Sequence, residues 1–132
     1  MKRYLSAVLA LILVAVLGLT SCGASSGGLT GNYRDDTLAV VSAMRAAIDV
    51  TADSPDRAAI QQKVRQQMND YASRYRRDDS LLKLQSYTTM RTALNGLAGH
   101  YSSYPNRPIP QKLKARLTQE LNQVELALKR GG

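Results

Sequence analysis

Leu81-Leu82-Lys83-Leu84-Gln85-Ser86-Tyr87-Thr88-Thr89-Met90-Arg91-Thr92-Ala93-Leu94-Asn95-Gly96-Leu97-Ala98-Gly99-His100-Tyr101 is the stretch on which the fold turns. Its large apolar side chains Leu81, Leu84, Tyr87, Met90, Leu94, Leu97 and Tyr101 recur in steps of three and four, which puts them on one face of an α-helix. No strand-like alternation competes with that period. Gly96 and Gly99 each cost up to ~1 kcal/mol relative to alanine inside a helix, so their presence predicts close approach of a neighbouring helix.

Working upstream, Asp78-Asp79-Ser80 reads as a short turn that caps this helix. Ile60, Val64, Met68, Tyr71 and Tyr75 mark the stripe of a preceding helix, about 22 residues or ~33 Å long, that ends near Arg77. Ser54 is placed to cap it and Pro55 to occupy its first position. Thr37, Val40, Val41, Met44 and Ile48 share one face of a first helix running to about Val50, with Asp35 and Asp36 in the first turn, where carboxylates suit the positive end of the helix dipole.

Downstream, His100 to Pro110 holds three prolines in its last six residues, which stop a helix and stiffen the chain into an extended turn. Pro110 then opens a fourth helix with the stripe Leu113, Leu117, Leu121, Val124 and Leu128, closed by Gly131-Gly132. Its other faces carry Lys112, Lys114, Arg116, Lys129 and Arg130. Four amphipathic helices on short connections predict an all-α, antiparallel up-down-up-down four-helix bundle over residues 32–132.

The N-terminal region has a different composition. Lys2 and Arg3 precede an almost wholly apolar run from Tyr4 to Leu19, and the run closes on Leu19-Thr20-Ser21-Cys22. A basic head, an apolar segment and small residues before a cut site make a secretory signal peptide, here residues 1–21. The run is interrupted by Gly18 and falls short of the ~20 residues a bilayer-spanning helix needs. Leu-Thr-Ser-Cys resembles the lipobox of bacterial lipoproteins, and that resemblance implies fatty acylation of the Cys22 thiol and cleavage just before it. Two or more acyl chains hold a protein on a membrane where one does not. Residues 22–31, rich in Gly and Ser, read as a lipidated flexible tether.

Removal of 21 residues leaves 111, enough for one domain, and lowers the formal charge from +8 to +6. Such basicity raises nucleic acid as a partner, and export argues against it. Anionic lipid heads or an acidic protein surface remain. Cys22 is the only cysteine, so no disulfide can form within the chain, and with no Phe or Trp the core must use aliphatic residues and six tyrosines. Catalysis needs a nucleophile or base set by a partner group, and one histidine with scattered carboxylates does not provide it, so the chain reads as a non-enzyme. No metal-ligand spacing is present and no cofactor is expected.

Tyr104 and Arg107 sit on a rigid proline-rich corner, and exposed tyrosine and arginine are the composition favoured at binding hot spots. Tyr101 either joins them or closes the end of the core. Arg74, Arg76 and Arg77 make a basic cluster that steers docking onto an acidic surface. His100, at the end of its helix, suits a structural role with a possible pH-sensitive contact. Its other reading, a haem ligand opposite Met44 or Met90, lacks a haem-attachment motif.

Tyr33-Arg34-Asp35-Asp36-Thr37, Thr88 to Asn95, and above all Leu97-Ala98-Gly99-His100-Tyr101-Ser102-Ser103-Tyr104 followed by Asn106-Arg107-Pro108-Ile109-Pro110 resemble the cyanobacterial photosystem II assembly lipoproteins, the family of subunit twenty-seven of that complex. The resemblance spans essentially the whole mature chain. It implies a right-handed up-down-up-down bundle without cofactor or enzymatic activity, a monomer lipid-anchored to the lumenal side of the thylakoid membrane. It further implies binding to immature photosystem II through lumenal loops of the inner chlorophyll-binding antenna subunit beside the manganese site, and assistance in assembly and repair. Arg91, inside the second of these stretches, joins Tyr104, Arg107, Arg74, Arg76 and Arg77 as a partner-binding candidate. The alternative from the residues alone is a generic periplasmic lipoprotein that binds another envelope protein or anionic lipid, and a third class is a small-ligand or haem carrier.

Overall fold

A computed structural model describes residues 29–132. The signal peptide, Cys22 and the tether as far as Gly28 lie outside the described residues. Four α-helices follow in order: α1 Tyr33–Asp49, α2 Arg57–Tyr75, α3 Gln85–Ser103 and α4 Gln111–Lys129, with a 3-10 turn, Asp79–Lys83, before α3. α1 packs along α2, α3 along α4, and α1 also meets α4, which closes an antiparallel bundle. The seam between α2 and α3 is the loosest.

The apolar stripes read from the sequence line the core. Val40, Val41, Met44, Val64, Tyr71, Met90, Leu97, Leu117, Leu121 and Val124 are all at or near zero exposure. Four of the six tyrosines, Tyr33, Tyr71, Tyr75 and Tyr87, gather at one end, with Tyr33 edge-on to Tyr75 at 5.6 Å and Tyr71 tilted against Tyr75 at 4.9 Å. Their hydroxyls keep hydrogen bonds inside: Tyr71 with Thr37 at 2.8 Å and Tyr33 with Ser86 at 2.7 Å. Tyrosine thus replaces phenylalanine where a polar partner is within reach.

The chain differs from the spacing-based expectation at three places, two of them helix starts. α2 begins at Arg57, not Pro55: Ser54 Oγ accepts from the Asp56 amide in the preceding turn, and Asp56 takes the N-cap position without a side-chain bond. α3 begins at Gln85, not Leu81, because Asp78 accepts from the Ser80 amide and winds the next residues into a 3-10 turn, after which Leu84 is extended. That turn buries Leu81 and leaves Leu82 half exposed. Leu29 to Gly31, read as the end of the tether, are held on the bundle, with Leu29 in the core cluster.

α3 has no side-chain cap, and the chain's C-terminus compensates. Gly131 adopts φ +87, where a Cβ would be strained, and the Gly132 amide reaches back to the Ala127 carbonyl at 2.9 Å while the Gly131 amide bonds Leu128. This six-to-one pattern ends α4 and delivers the Gly132 carbonyl to the free Ser86 amide at 2.8 Å.

Only one of the two glycines in α3 faces a neighbour. A Cβ on Gly96 would lie 3.3 Å from Arg116 Nη2 and 3.7 Å from Leu117 Cδ2 of α4, whereas a Cβ on Gly99 would meet nothing within 4 Å. The helix contact expected at Gly99 is therefore absent. Gly99→Ala should raise stability by roughly 0.5–1 kcal/mol through propensity alone. Gly96→Ala should gain less, because Arg116, paired with Glu120 at 2.9 Å, must shift. Urea unfolding of both variants checks this, and a destabilised Gly99→Ala would contradict it.

Candidate functional site

Polar chemistry concentrates at the two ends of the bundle. At the first, α3 runs out into the proline corner. The Tyr104 amide bonds the His100 carbonyl at 2.7 Å, the Arg107 amide bonds the Tyr104 carbonyl at 3.2 Å, and His100 Nε2 lies 3.2 Å from the Arg107 carbonyl. Gln61 of α2 donates to the Pro105 carbonyl at 3.0 Å. Local turns, one histidine and one cross-helix bond thus pin a segment that proline already stiffens. The pinned corner presents Tyr104, 48% exposed, with the Arg107 guanidinium 5.3 Å above its ring. A cation on a tyrosine face is held without losing its charge to a carboxylate.

Tyr101 is buried and closes the core, so the second of its two readings holds. Burial pushes its phenol up, against the opposing pull of Arg57 and Arg65. His100 is also buried, between Tyr101 and Tyr104, and its role in the structure is to hold the Arg107 backbone. Met44 and Met90 are fully enclosed in the apolar core. Among the described residues no group of three or more His, Cys, Asp or Glu side chains could hold a metal ion.

The other end is organised by a residue that the sequence analysis assigned to the helix dipole. Asp36 is 1% exposed. Its carboxylate accepts from the Thr30 amide at 2.6 Å, the Thr30 hydroxyl at 2.9 Å, the Gly31 amide at 3.0 Å and the Tyr75 hydroxyl at 2.5 Å. Asn32, not an aspartate, caps α1 by accepting from the Asp35 amide. Burial alone would raise the Asp36 pKa, but the bonds from Thr30, Tyr75 and Gly31 outweigh it and hold the carboxyl below its ordinary value. Gly31 adopts φ +91, where any side chain would be strained, and a Cβ there would lie a tight 3.3 Å from Arg74 Nη1.

This arrangement divides the partner-binding candidates. Arg74 is drawn toward Asp36 at 3.7 Å and belongs to the clasp on Thr30 and Gly31. Arg76 and Arg91 flank one groove along the α2–α3 seam, beside exposed Leu82, with Arg91 5.8 Å above the Tyr87 ring. Arg77 is exposed at the end of α2. Tyr104 and Arg107 lie at the far end, about 28 Å away by the length of a 19-residue helix. Sequence reasoning missed Asp36 and, at the corner, Arg57 and Lys114. The signal for Asp36 was its position four residues before Val40 and eight before Met44, on the buried face.

The family model of Photosystem II Pbs27 matches residues 4–128. The chain belongs to this family. It is 58% identical over 98% of its length to the photosystem II assembly factor lipoprotein Psb27 of Thermosynechococcus vestitus, strain NIES-2133 / IAM M-273 / BP-1, covering 97% of that protein. It is 54% identical to the photosystem II lipoprotein Psb27 of Synechocystis sp., strain ATCC 27184 / PCC 6803 / Kazusa, over 99% of its own length and 97% of the relative's. The solution structure of Psb27 from cyanobacterial photosystem II superposes with a TM-score of 0.77 at 54% identity, covering 82% of this chain and 94% of that one. Psb27 is a non-enzymatic assembly-factor family and its fold is the four-helix bundle described above.

Proposed function

We propose that this chain, lipidated on Cys22 and anchored on the lumenal side of the thylakoid membrane, docks on immature photosystem II through lumenal loops of the inner antenna subunit beside the manganese site. It assists assembly and repair of the complex and its manganese cluster, and it acts by occupancy. The observation that carries the reading is the near-full-length likeness to relatives named as photosystem II assembly factor and photosystem II lipoprotein. The geometry adds a means of docking: a rigid, uncompensated Tyr104–Arg107 corner on a chain of net charge +6 after processing.

The clasp on Asp36 supports an orientation as well. It holds Thr30 and Gly31 at the end of the bundle opposite the corner. Six residues separate Cys22 from Leu29, so the two lie at most ~25 Å apart. A lipid at Cys22 therefore holds the clasp end within that reach of the membrane surface, with the corner at the opposite end of the bundle.

Capture of the tagged protein from solubilised thylakoid membranes tests the reading. The expected companions are photosystem II intermediates that contain the inner antenna subunit, and the captured chain should begin at an acylated Cys22 by mass spectrometry. Companions drawn only from other envelope complexes would favour the generic lipoprotein and end this proposal.

A further inference from the structure

Beside the proline corner the bundle carries a cavity of about 100 Å³, open to solvent on one side, several times the room one water molecule needs. Three cations line it from three separate elements: Arg57 from the first turn of α2, Arg107 from the corner and Lys114 from the start of α4. No carboxylate lines it, and among the described residues none of the three has an Asp or Glu oxygen within ion-pair distance. Asp53 and Asp56, on the neighbouring α1–α2 connection, are exposed and stay outside the lining. The rest of the wall mixes the polar Gln61 and Tyr101 with an apolar portion formed by Ala47, Val50, Pro108 and Ile109.

Three like charges facing one concavity repel one another, and an anion seated among them reverses that cost. We propose that this cavity is a socket for one carboxylate side chain, aspartate or glutamate, of the partner protein. The apolar portion of the wall decides between a side chain and a free ion: it rewards the methylene stem that carries a carboxylate and gives nothing to chloride or sulfate. Arg57 and Arg107, whose guanidinium groups also meet the Ala52 carbonyl at 3.4 Å and the Tyr104 ring at 5.3 Å, bring forked donors suited to a carboxylate, and the lysine adds a point charge. Arg57 and Lys114 thus become specificity-determining residues beside Tyr104 and Arg107. The identity of the partner rests on the function proposed above; the socket itself does not.

Two measurements separate those claims. The first is a nuclear magnetic resonance titration of the purified mature protein with acetate, propionate and butyrate against chloride and sulfate. Saturable shifts at Arg57, Arg107, Lys114 and Tyr101 are expected, with affinity rising about threefold to fourfold per added methylene and vanishing in the Arg57→Gln/Lys114→Gln double variant. Absence of saturation, or an affinity indifferent to the stem, overturns the socket. The second repeats the thylakoid capture with the double variant, whose thermal unfolding should match the parent because neither side chain is in the core. A loss of roughly tenfold in affinity for photosystem II intermediates supports the proposal. Equal capture by both overturns the docking role of the socket and leaves the function standing. Capture of nothing by the parent, with the titration intact, overturns the partner.

Discussion

Asp36→Asn lowers the unfolding free energy by about 3 kcal/mol, because a buried carboxylate that accepts four hydrogen bonds is replaced by an amide whose nitrogen can accept none. Whichever way the amide turns, one pair of donors, either the Thr30 amide and hydroxyl or the Gly31 amide and Tyr75 hydroxyl, is left facing that nitrogen. For a domain of this size the loss corresponds to a drop of roughly 10–20 °C in Tm. Amide exchange at Thr30 and Gly31 should accelerate before global unfolding, since the clasp opens first. The acid dependence follows from the sign of the shift. Asp36 has a folded-state pKa below its ordinary 3.8, so its contribution is complete above that value and is lost as pH falls through the lower, folded value. The gap between parent and variant should be constant at neutral pH and narrow only below about pH 4. Urea unfolding across pH measures both, and a variant within 1 kcal/mol of the parent at neutral pH would rule out the clasp as a stabilising element.

Tyr104→Ala should weaken binding to photosystem II intermediates about thirtyfold, the scale of a 2 kcal/mol hot spot. Tyr104 carries the ring on which Arg107 rests, so the substitution removes contact area and frees the guanidinium together. Arg107→Ala should cost roughly tenfold and, unlike Tyr104→Ala, should flatten the dependence of affinity on salt, because it removes charge from the docking face. Neither variant should change Tm, since both side chains are exposed and the bond from His100 goes to the Arg107 backbone. Binding isotherms at two salt concentrations distinguish the pair. Equal slopes for Arg107→Ala and the parent would remove the electrostatic part of the docking argument.

Most of the bundle was legible before any coordinates. Each helix buries one stripe, and a stripe repeats every three or four residues whatever the helix packs against, so Val40, Val64, Leu97 and Leu121 declare themselves. The corner was legible for a related reason: proline restricts its own backbone, and three of them near Tyr104 and Arg107 mark a rigid display. Helix starts were less so. Ser54-Pro55 and Asp78-Asp79-Ser80 both satisfy the rules for a cap, and local hydrogen bonds chose turns instead.

By itself, then, the chain of residues determined the all-α class, the four stripes and the stiff corner, because these depend on neighbours close in sequence. The tertiary structure alone decided that Asp36 is a clasp instead of a dipole partner, that Gly132 caps α3, and that Arg57, Arg107 and Lys114 share one cavity. Those residues are joined across gaps of chain that no local period spans, and only the packing of four helices brings their charges and donors within reach of one another.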